Sequence, residues 1–440
     1  MRSLTRRAVL RALGVAGAAA AVAGCAPTIG TARMPRVAGA YEGPPVTLRF
    51  WNGLTGGDGP VMRTLIEEFT AAHPNVRIDM YALPWGDFYQ KFPAAVVSGL
   101  APDLALMHNF QVATNAARNV IMPVDEVLDT VGLAEADYLP VVWSSGVYRD
   151  RRWSLPLDMW PDSLFYNRRV LEQAGLDPDA PPVDRAGYET ALDALASAGV
   201  RGHWLPAIDP QGVGRGFDSL LWQFGGTHYD DAGRAATWAG PEGVEALAWQ
   251  QSLIRKGWSP GDVSGSDANV AFKNGQNAFL WGGPGALIND LAQVDGLDWD
   301  VAPLPRIGTE RAAFSGSHQF VVARQRAFDA NRLAAVVTFL GWILENSLGW
   351  ASAGPVPARL PVLQSPELQD LPAQAHVAQG VEHIRFYPLV PGIAEVQTTI
   401  LYPAVGDALL SLGDPRAALE TATTQASFLL TENAEKYGEA

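Results

Sequence analysis

Cysteine is almost absent from this sequence: one residue, Cys25, in 440. A single thiol excludes an intramolecular disulfide, so the fold must be held by a hydrophobic core of sufficient size. Runs of basic residues are missing beyond the first eleven positions. With 46 acidic against 32 basic side chains the chain carries −14 at neutral pH, which repels a phosphate backbone and excludes nucleic-acid binding as its main task. No histidine pair stands at helical spacing with a glutamate, and no Cys/His cluster occurs, so no metal site is expected. The glycine-rich stretch 53–59 lacks the Lys-Ser/Thr ending of a phosphate-cradling loop, so neither a nucleotide nor any other cofactor is expected. No internal repeat at a solenoid period is visible.

What is present is a chain that is 48% hydrophobic, long enough for two domains or one large α/β unit. Its start is set apart. "MRSLTRRAVLRALGVAGAAAAVAGCAPT" has a basic beginning, an Ala/Val/Gly/Leu stretch too short for a membrane-spanning helix, and small residues before Cys25. Thr5 to Arg11 resembles a twin-arginine export signal, and Val22-Ala23-Gly24-Cys25 resembles a bacterial lipobox. Residues 1–24 are therefore read as an export signal peptide. Cys25 is read as the lipidated residue, which would hold the protein at the outer face of the cell membrane. Residues 25–45, rich in Pro, Gly and Ala without a hydrophobic period, are read as a flexible tether.

From Val46 the pattern changes. "VTLRFW" reads as a strand, "PVMRTLIEEFTAAHP" as a helix with Val61, Met62, Leu65, Ile66 and Phe69 on one face, and "NVRIDMYAL" as a second strand. "DFYQKFPAAVVSGL" reads as a helix despite Pro93, and "DLALM" as a buried strand. This alternation predicts an α/β fold with a mostly parallel sheet covered on both faces. Further helices follow between 160 and 300, then strands "WDVAPLP" and "HQFVVAR", the helix "RLAAVVTFLGWILEN" and a C-terminal amphipathic helix. The domains should be discontinuous. In open α/β sheets ligands sit outside the carboxyl ends of strands, and both Phe50-Trp51-Asn52-Gly53 and Met107-His108-Asn109 lie at such ends.

The segments "FWNG", "SGLAPDLALMHN", "WSLPLDMWPDSLFYNRRVLEQAGL", "FKNGQNAFLWGGPG", "FSGSHQFVV" and "GPVPARLPV" occur in an order that resembles the extracellular solute-binding proteins of carbohydrate ABC importers, the maltose-binding-protein-like group. The resemblance implies a two-lobed periplasmic-binding-protein-like fold with hinge-connected, discontinuous lobes. It places the first lobe at 46–158 plus 300–357 and the second at 159–299 plus 358–440. It further implies a ligand cleft between the lobes, transmembrane permease subunits as partners, and no catalysis. A monomer is expected.

Sugar recognition needs planar carboxylates, amides or guanidinium groups for hydroxyls, and aromatic rings for the C–H faces of pyranoses. Trp51 and Asn52 at the first strand's end are candidates. Asp58 is either a cap of the following helix or a cleft residue. His108 and Asn109 follow the "DLALM" strand, whereas Asp103 reads as a support of the sheet. Asp158 and Trp160 lie where the chain is expected to pass between lobes. Trp222 could serve the core or a ligand equally; Trp281 with Gly283 offers a stacking face and approachable backbone. Ser317 and His318 precede a strand in the loop that faces ligand in the family, Arg359 is the only basic residue of its loop, and Tyr387 completes the set. Trp249, Trp299 and Trp342 read as core.

Two other ligand chemistries compete with a di- or oligosaccharide. A glycerophosphodiester or glycerol-phosphate-type ligand would find Arg359 with His108 or His318, while Trp51, Trp160 and Trp281 favour a pyranose face. A remote alternative is an exported glycoside hydrolase, for which Asp58, Asp103, Asp158 and Asp162 would have to supply two carboxylates about 5–9.5 Å apart. No glutamate stands at a strand end among the cleft candidates, which counts against it.

Overall fold

A computed structural model describes residues 34–37 and 39–438. The export signal, the lipobox and Cys25 lie outside the described residues. Five elements alternate as expected: β1 (Val46–Asn52), α1 (Asp58–Ala72), β2 (Val76–Ala82), α2 (Trp85–Ser98) and β3 (Leu104–His108). They are followed by β4 (Ile121–Met122), β5 (Leu155–Pro156), β6 (Asp158–Pro161) and β7 (Ser163–Asn167). Then come α3 (Pro210–Gln223), α4 (Pro241–Arg255), α5 (Gly265–Lys273), β8 (Phe279–Gly282), α6 (Gly285–Ala292), β9 (Trp299–Pro303), β10 (Ala313–Gly316) and β11 (His318–Ala323). The chain ends with α7 (Ala330–Glu345), β12 (Val356–Pro357), β13 (Ile384–Arg385) and α8 (Pro415–Tyr437).

The main sheet has the order β2-β1-β3-β11-β4, with β5 also paired to β11. β1 runs parallel to β2 and β3, whereas the late strand β11 enters antiparallel, matching Phe320 to Leu106 and His318 to His108. This register puts two histidines side by side at the ends of two central strands. One face of the sheet is covered by α1 and α7, where Phe69 and Phe339 meet edge to face at 5.0 Å and Phe50 lies 5.9 Å from Phe320. Each of these rings is buried, so truncating Phe339 to Ala should cost about 3–5 kcal/mol. The other face packs Phe88, Phe92, Val112 and Trp153.

A second sheet, β8-β7-β9, is antiparallel and carries α3 and α4. Between the two lies a third, four-stranded sheet in the order β12-β6-β10-β13. Its strands are contributed by three widely separated segments, which is how the lobes come to be discontinuous. β9 pairs with β7 along Trp299–Pro303, with Val301 opposite Phe165, and Ala313–Gly316 then pairs with β6.

Residues 34–45 are also more engaged than a free tether. Met34 and Tyr41 are buried in the core cluster of the main sheet, and Tyr41 N–H donates to Thr338 Oγ1 at 2.8 Å. Two apolar side chains suffice to pin an otherwise Pro/Gly-rich stretch.

Candidate functional site

The "FWNG" turn is built around an indole. At Gly53 an added Cβ would lie 1.9 Å from the Trp85 ring, so only glycine lets Trp85 lie across this turn. Asn52 is fully buried, its Oδ1 accepting Leu54 N–H at 3.0 Å, and thereby shapes the turn. Trp51 packs on Tyr81, 5.7 Å between centroids. Asp58 stands in the first turn of α1, but its carboxylate accepts Gly56 N–H at 3.1 Å and makes no helix-capping bond, which corrects the expectation of an N-cap.

Trp85 in turn covers the two histidines: its ring is 4.2 Å from His108 and stacks on His318 at 5.7 Å. Tyr89 Oη accepts His108 N–H at 3.1 Å and shares a hydrogen bond with His108 Nδ1 at 2.7 Å. Burial, with the charges of His318 and Arg215, holds His108 well below the ordinary histidine range. His318 behaves oppositely. Burial works against its charge, but the Asp158 carboxylate and its hydrogen bond outweigh this and raise it, with Asp58 adding to the effect. Asp158 is fully buried and accepts from His318 N–H, His318 Nδ1 and Trp350 Nε1. Asn109 and Ser317 bond to each other, backbone N–H to O at 2.9 Å and Ser317 N–H to Asn109 Oδ1 at 3.2 Å, tying β3 to the β10–β11 corner.

Beside this junction, in the second lobe, opens a cavity of about 390 Å³. Trp204 and Trp281 line it with Asp162, Arg215, Gln250, Asp290 and the backbone of α3 and α5. Trp281 is stacked on Trp249 at 5.5 Å with an 18° interplanar angle, which fixes the indole plane. Asp162 is 4% exposed, and burial pushes its carboxyl up to about 7 against the opposing charge of Arg215. Arg215 lies over the Trp160 ring at 5.1 Å and over Phe314 at 5.7 Å. Trp160 is held from behind: a Cβ on Gly316 would fall 1.8 Å from its ring, and Gly283 passes within van der Waals reach.

The structure thus gathers Asp58, His108, Asp158, Trp160, Gly283 and His318 at one junction and puts Trp281 in the adjoining cavity. Other candidates go elsewhere. Arg359 forms an ion pair with Asp137 at 3.0 Å and shares an isolated bridge with Tyr138. Tyr387 and Tyr402 donate to the buried Asp218 carboxylate. Trp222 packs on His228 and Tyr387 beside that network.

Sequence reasoning missed Trp204, Arg215 and Gln250, and considered Asp162 only as a hydrolase acid. One signal was available for Arg215. It stands between Gly214 and Gly216 inside a helix, where glycine is unfavourable unless space demands it. Gly214 is required because a Cβ there would meet the Tyr402 ring at 2.0 Å. Among the described residues no group of three or more His, Cys, Asp or Glu is placed to hold a metal, and no helix is long and apolar enough to cross a membrane.

A family model described as bacterial extracellular solute-binding protein matches residues 53–347. The sn-glycerol-3-phosphate-binding periplasmic protein of Escherichia coli K12 is 24% identical over 325 residues, 69% of this chain and 72% of that protein. Among solved structures, the sugar-binding protein MalE of Xanthomonas citri is similar at a TM-score of 0.77 and 19% identity, covering 90% of this chain and 100% of that one. UgpB of Mycobacterium tuberculosis, solved with glycerophosphocholine, is similar at 0.76 and 20% identity, covering 89% and 99%.

Proposed function

The chain belongs to the bacterial extracellular solute-binding proteins, and we propose that its ligand is a neutral carbohydrate, a di- or oligosaccharide. As a member of that family it is an exported solute-binding component of an ABC importer, with a small-molecule ligand and a permease partner. The ligand would be held in the 390 Å³ cavity beside the junction of the lobes and released to the permease when they part.

One observation carries this reading. Three buried polar atoms on cavity-lining residues have no hydrogen-bond partner among the described residues: Trp204 Nε1, Asp162 Oδ1 and Gln250 Oε1. Trp281 Nε1 is directed at the Tyr188 hydroxyl, which is also engaged with His203 Nδ1 at 2.6 Å. One of the three atoms donates and two accept. Buried polar groups left unpaired are costly, so a ligand that both donates and accepts is favoured, and sugar hydroxyls do both. The charges lean negative: Asp290 pairs with Lys273 at 2.6 Å and Asp162 and Arg215 offset one another, which leaves Asp209, the cap of α3 through Gly212 N–H, without a counter-charge.

A glycerophosphodiester remains the second reading, favoured by the unpaired guanidinium of Arg215 and by what the E. coli and M. tuberculosis relatives bind. Asp162 opposes an anion at the same place.

The lobes are proposed to divide at the four-stranded sheet, the first comprising 46–157 with 317–355. Anchoring through a lipidated Cys25, export by a twin-arginine signal and a monomeric state complete the reading; catalysis forms no part of it. Isothermal titration of a soluble form starting at Pro27 with maltose, mannotriose and glycerophosphocholine tests the ligand class. Binding of a neutral sugar supports it. Binding of glycerophosphocholine alone transfers the assignment to the second reading.

A further inference from the structure

Residues 34–37 and 39–45 form a strap laid across three parts of the first lobe. Thr130 Oγ1 donates to Val37 O at 2.7 Å, Tyr41 N–H donates to Thr338 Oγ1 of α7 at 2.8 Å, and Asn75 Nδ2, just before β2, donates to Gly43 O at 3.1 Å. Met34 and Tyr41 are buried in the core cluster of the main sheet. The Tyr41 ring folds back over Gly43, where a Cβ would fall 2.6 Å from it, and its hydroxyl donates to Pro44 O at 2.7 Å. Pro35, Pro44 and Pro45 restrict the strap before it docks, so less chain freedom is lost when it does. Every partner of these hydrogen bonds lies in the strap itself or in the first lobe.

The strap shortens the reach of whatever precedes it. Cys25 stands nine residues before Met34. However the chain between them runs, a lipid on Cys25 lies within about 30 Å of Met34, against about 70 Å if the chain were free as far as Val46. The face where the strap begins has its own character. Arg36 and Val37 line a cavity of about 650 Å³ with Asp125, Glu126, Asp129 and Asp150, so carboxylates outnumber the guanidinium groups of Arg36 and Arg151 there. Such a face gains nothing from anionic lipid, and its orientation is left to the strap.

We infer that the first-lobe surface bearing Met34 and Thr130 is the one this protein turns to the lipid bilayer. The strap makes the first lobe the body fixed at the membrane and leaves the second lobe as the one that moves. The inference rests on the reading of Cys25 as the anchored residue and adds to it the surface that the anchor presents.

The test uses the chain from Cys25, its single thiol coupled to a maleimide lipid in phosphatidylcholine vesicles, so that attachment is independent of the cell. A gadolinium-chelating lipid in the vesicles bleaches methyl resonances near the bilayer. Val37, Val131 and Leu133 should lose more intensity than Val183 and Leu410, which are exposed on the second lobe. Inserting about twenty Gly/Ser residues after Pro27 lengthens the reach without touching the strap, and should bring the two sets level. The same levelling is expected of M34S/Y41S; the insertion keeps the test open if that variant does not fold. Adding phosphatidylglycerol should leave the pattern unchanged. Equal loss over both lobes in the unaltered chain, or a pattern that phosphatidylglycerol inverts, would overturn this inference alone. Protein recovered from cells without a lipid on Cys25 would overturn the anchor reading and this inference with it.

Discussion

Asp158 grips His318 through both carboxylate oxygens: Oδ1 accepts the backbone N–H and Oδ2 accepts Nδ1, each at 2.6 Å. Trp350 Nε1 adds a third donor at 2.7 Å. The carboxylate therefore fastens β6, β11 and the segment before β12 at the place where the chain passes between lobes. Asp158→Ala should lower stability by about 3 kcal/mol, because it leaves two buried donors and a charged imidazole without a partner. His318 has a raised folded-state pKa, so its contribution is full below the unfolded value near 6.5 and is lost as pH rises through the folded value. Urea unfolding of wild type and variant should show a gap that narrows toward alkaline pH. A gap independent of pH would remove the ion pair from this account.

Acid stability is governed by the other histidines. Burial pushes His203 and His228 down to about 3, and His108 well below its ordinary range. Each remains neutral in the fold while the unfolded chain takes up a proton below about pH 6.5. Each such imidazole should lower stability on acidification by up to about 1.4 kcal/mol per pH unit, and the buried carboxyls of Asp162 and Asp218, raised by burial, take up their protons in the fold and offset part of that fall. Melting temperatures recorded from pH 7.5 down to 5 should decline; a flat profile would contradict the neutral assignment.

Ligand affinity should depend on pH through Asp162. Its carboxyl, raised to about 7 by burial, must be ionised to accept two hydroxyls. Affinity for the neutral sugar is expected to weaken as pH falls below 7, and Asp162→Asn should abolish that dependence. Titrations at pH 6, 7 and 8 decide it. The same pH slope in the variant would assign the proton to another group.

Arg359→Ala should destabilise the fold by about 1 kcal/mol through loss of the Asp137 pair, with ligand affinity unchanged. A tenfold weaker Kd in this variant would return Arg359 to the site.

Gly316→Ala tests the support of Trp160. A methyl group 1.8 Å from the indole forces the ring to move, at a cost of about 1–3 kcal/mol or more, and should weaken ligand binding as Arg215 loses its platform. Wild-type affinity with a lowered melting temperature would separate Trp160 from recognition.

These expectations mark how far the sequence could be read. The first five alternating elements were visible in their hydrophobic periods, because α1 and α2 each bury one apolar face, on opposite sides of the sheet formed by β1, β2 and β3. His108 and His318 were visible as loop residues at strand ends, but their adjacency depends on the antiparallel entry of β11, a pairing across about 210 residues. The helix α3 begins at Pro210, and the glycines at 212, 214 and 216 interrupt any helical pattern around Arg215. Arg359 looked free because its partner Asp137 is separated from it by 222 positions. Local periodicity reports which face is buried; it does not report which distant segment arrives to cover it.

The most direct test of the central claim is a crystal structure of the soluble form with the tightest-binding neutral sugar. The account predicts ligand density inside the cavity, with hydroxyls in hydrogen-bond reach of Asp162, Gln250 and Trp204 Nε1 and a sugar face on the Trp281 ring. Density elsewhere in the cleft, with this cavity filled only by water, would contradict it.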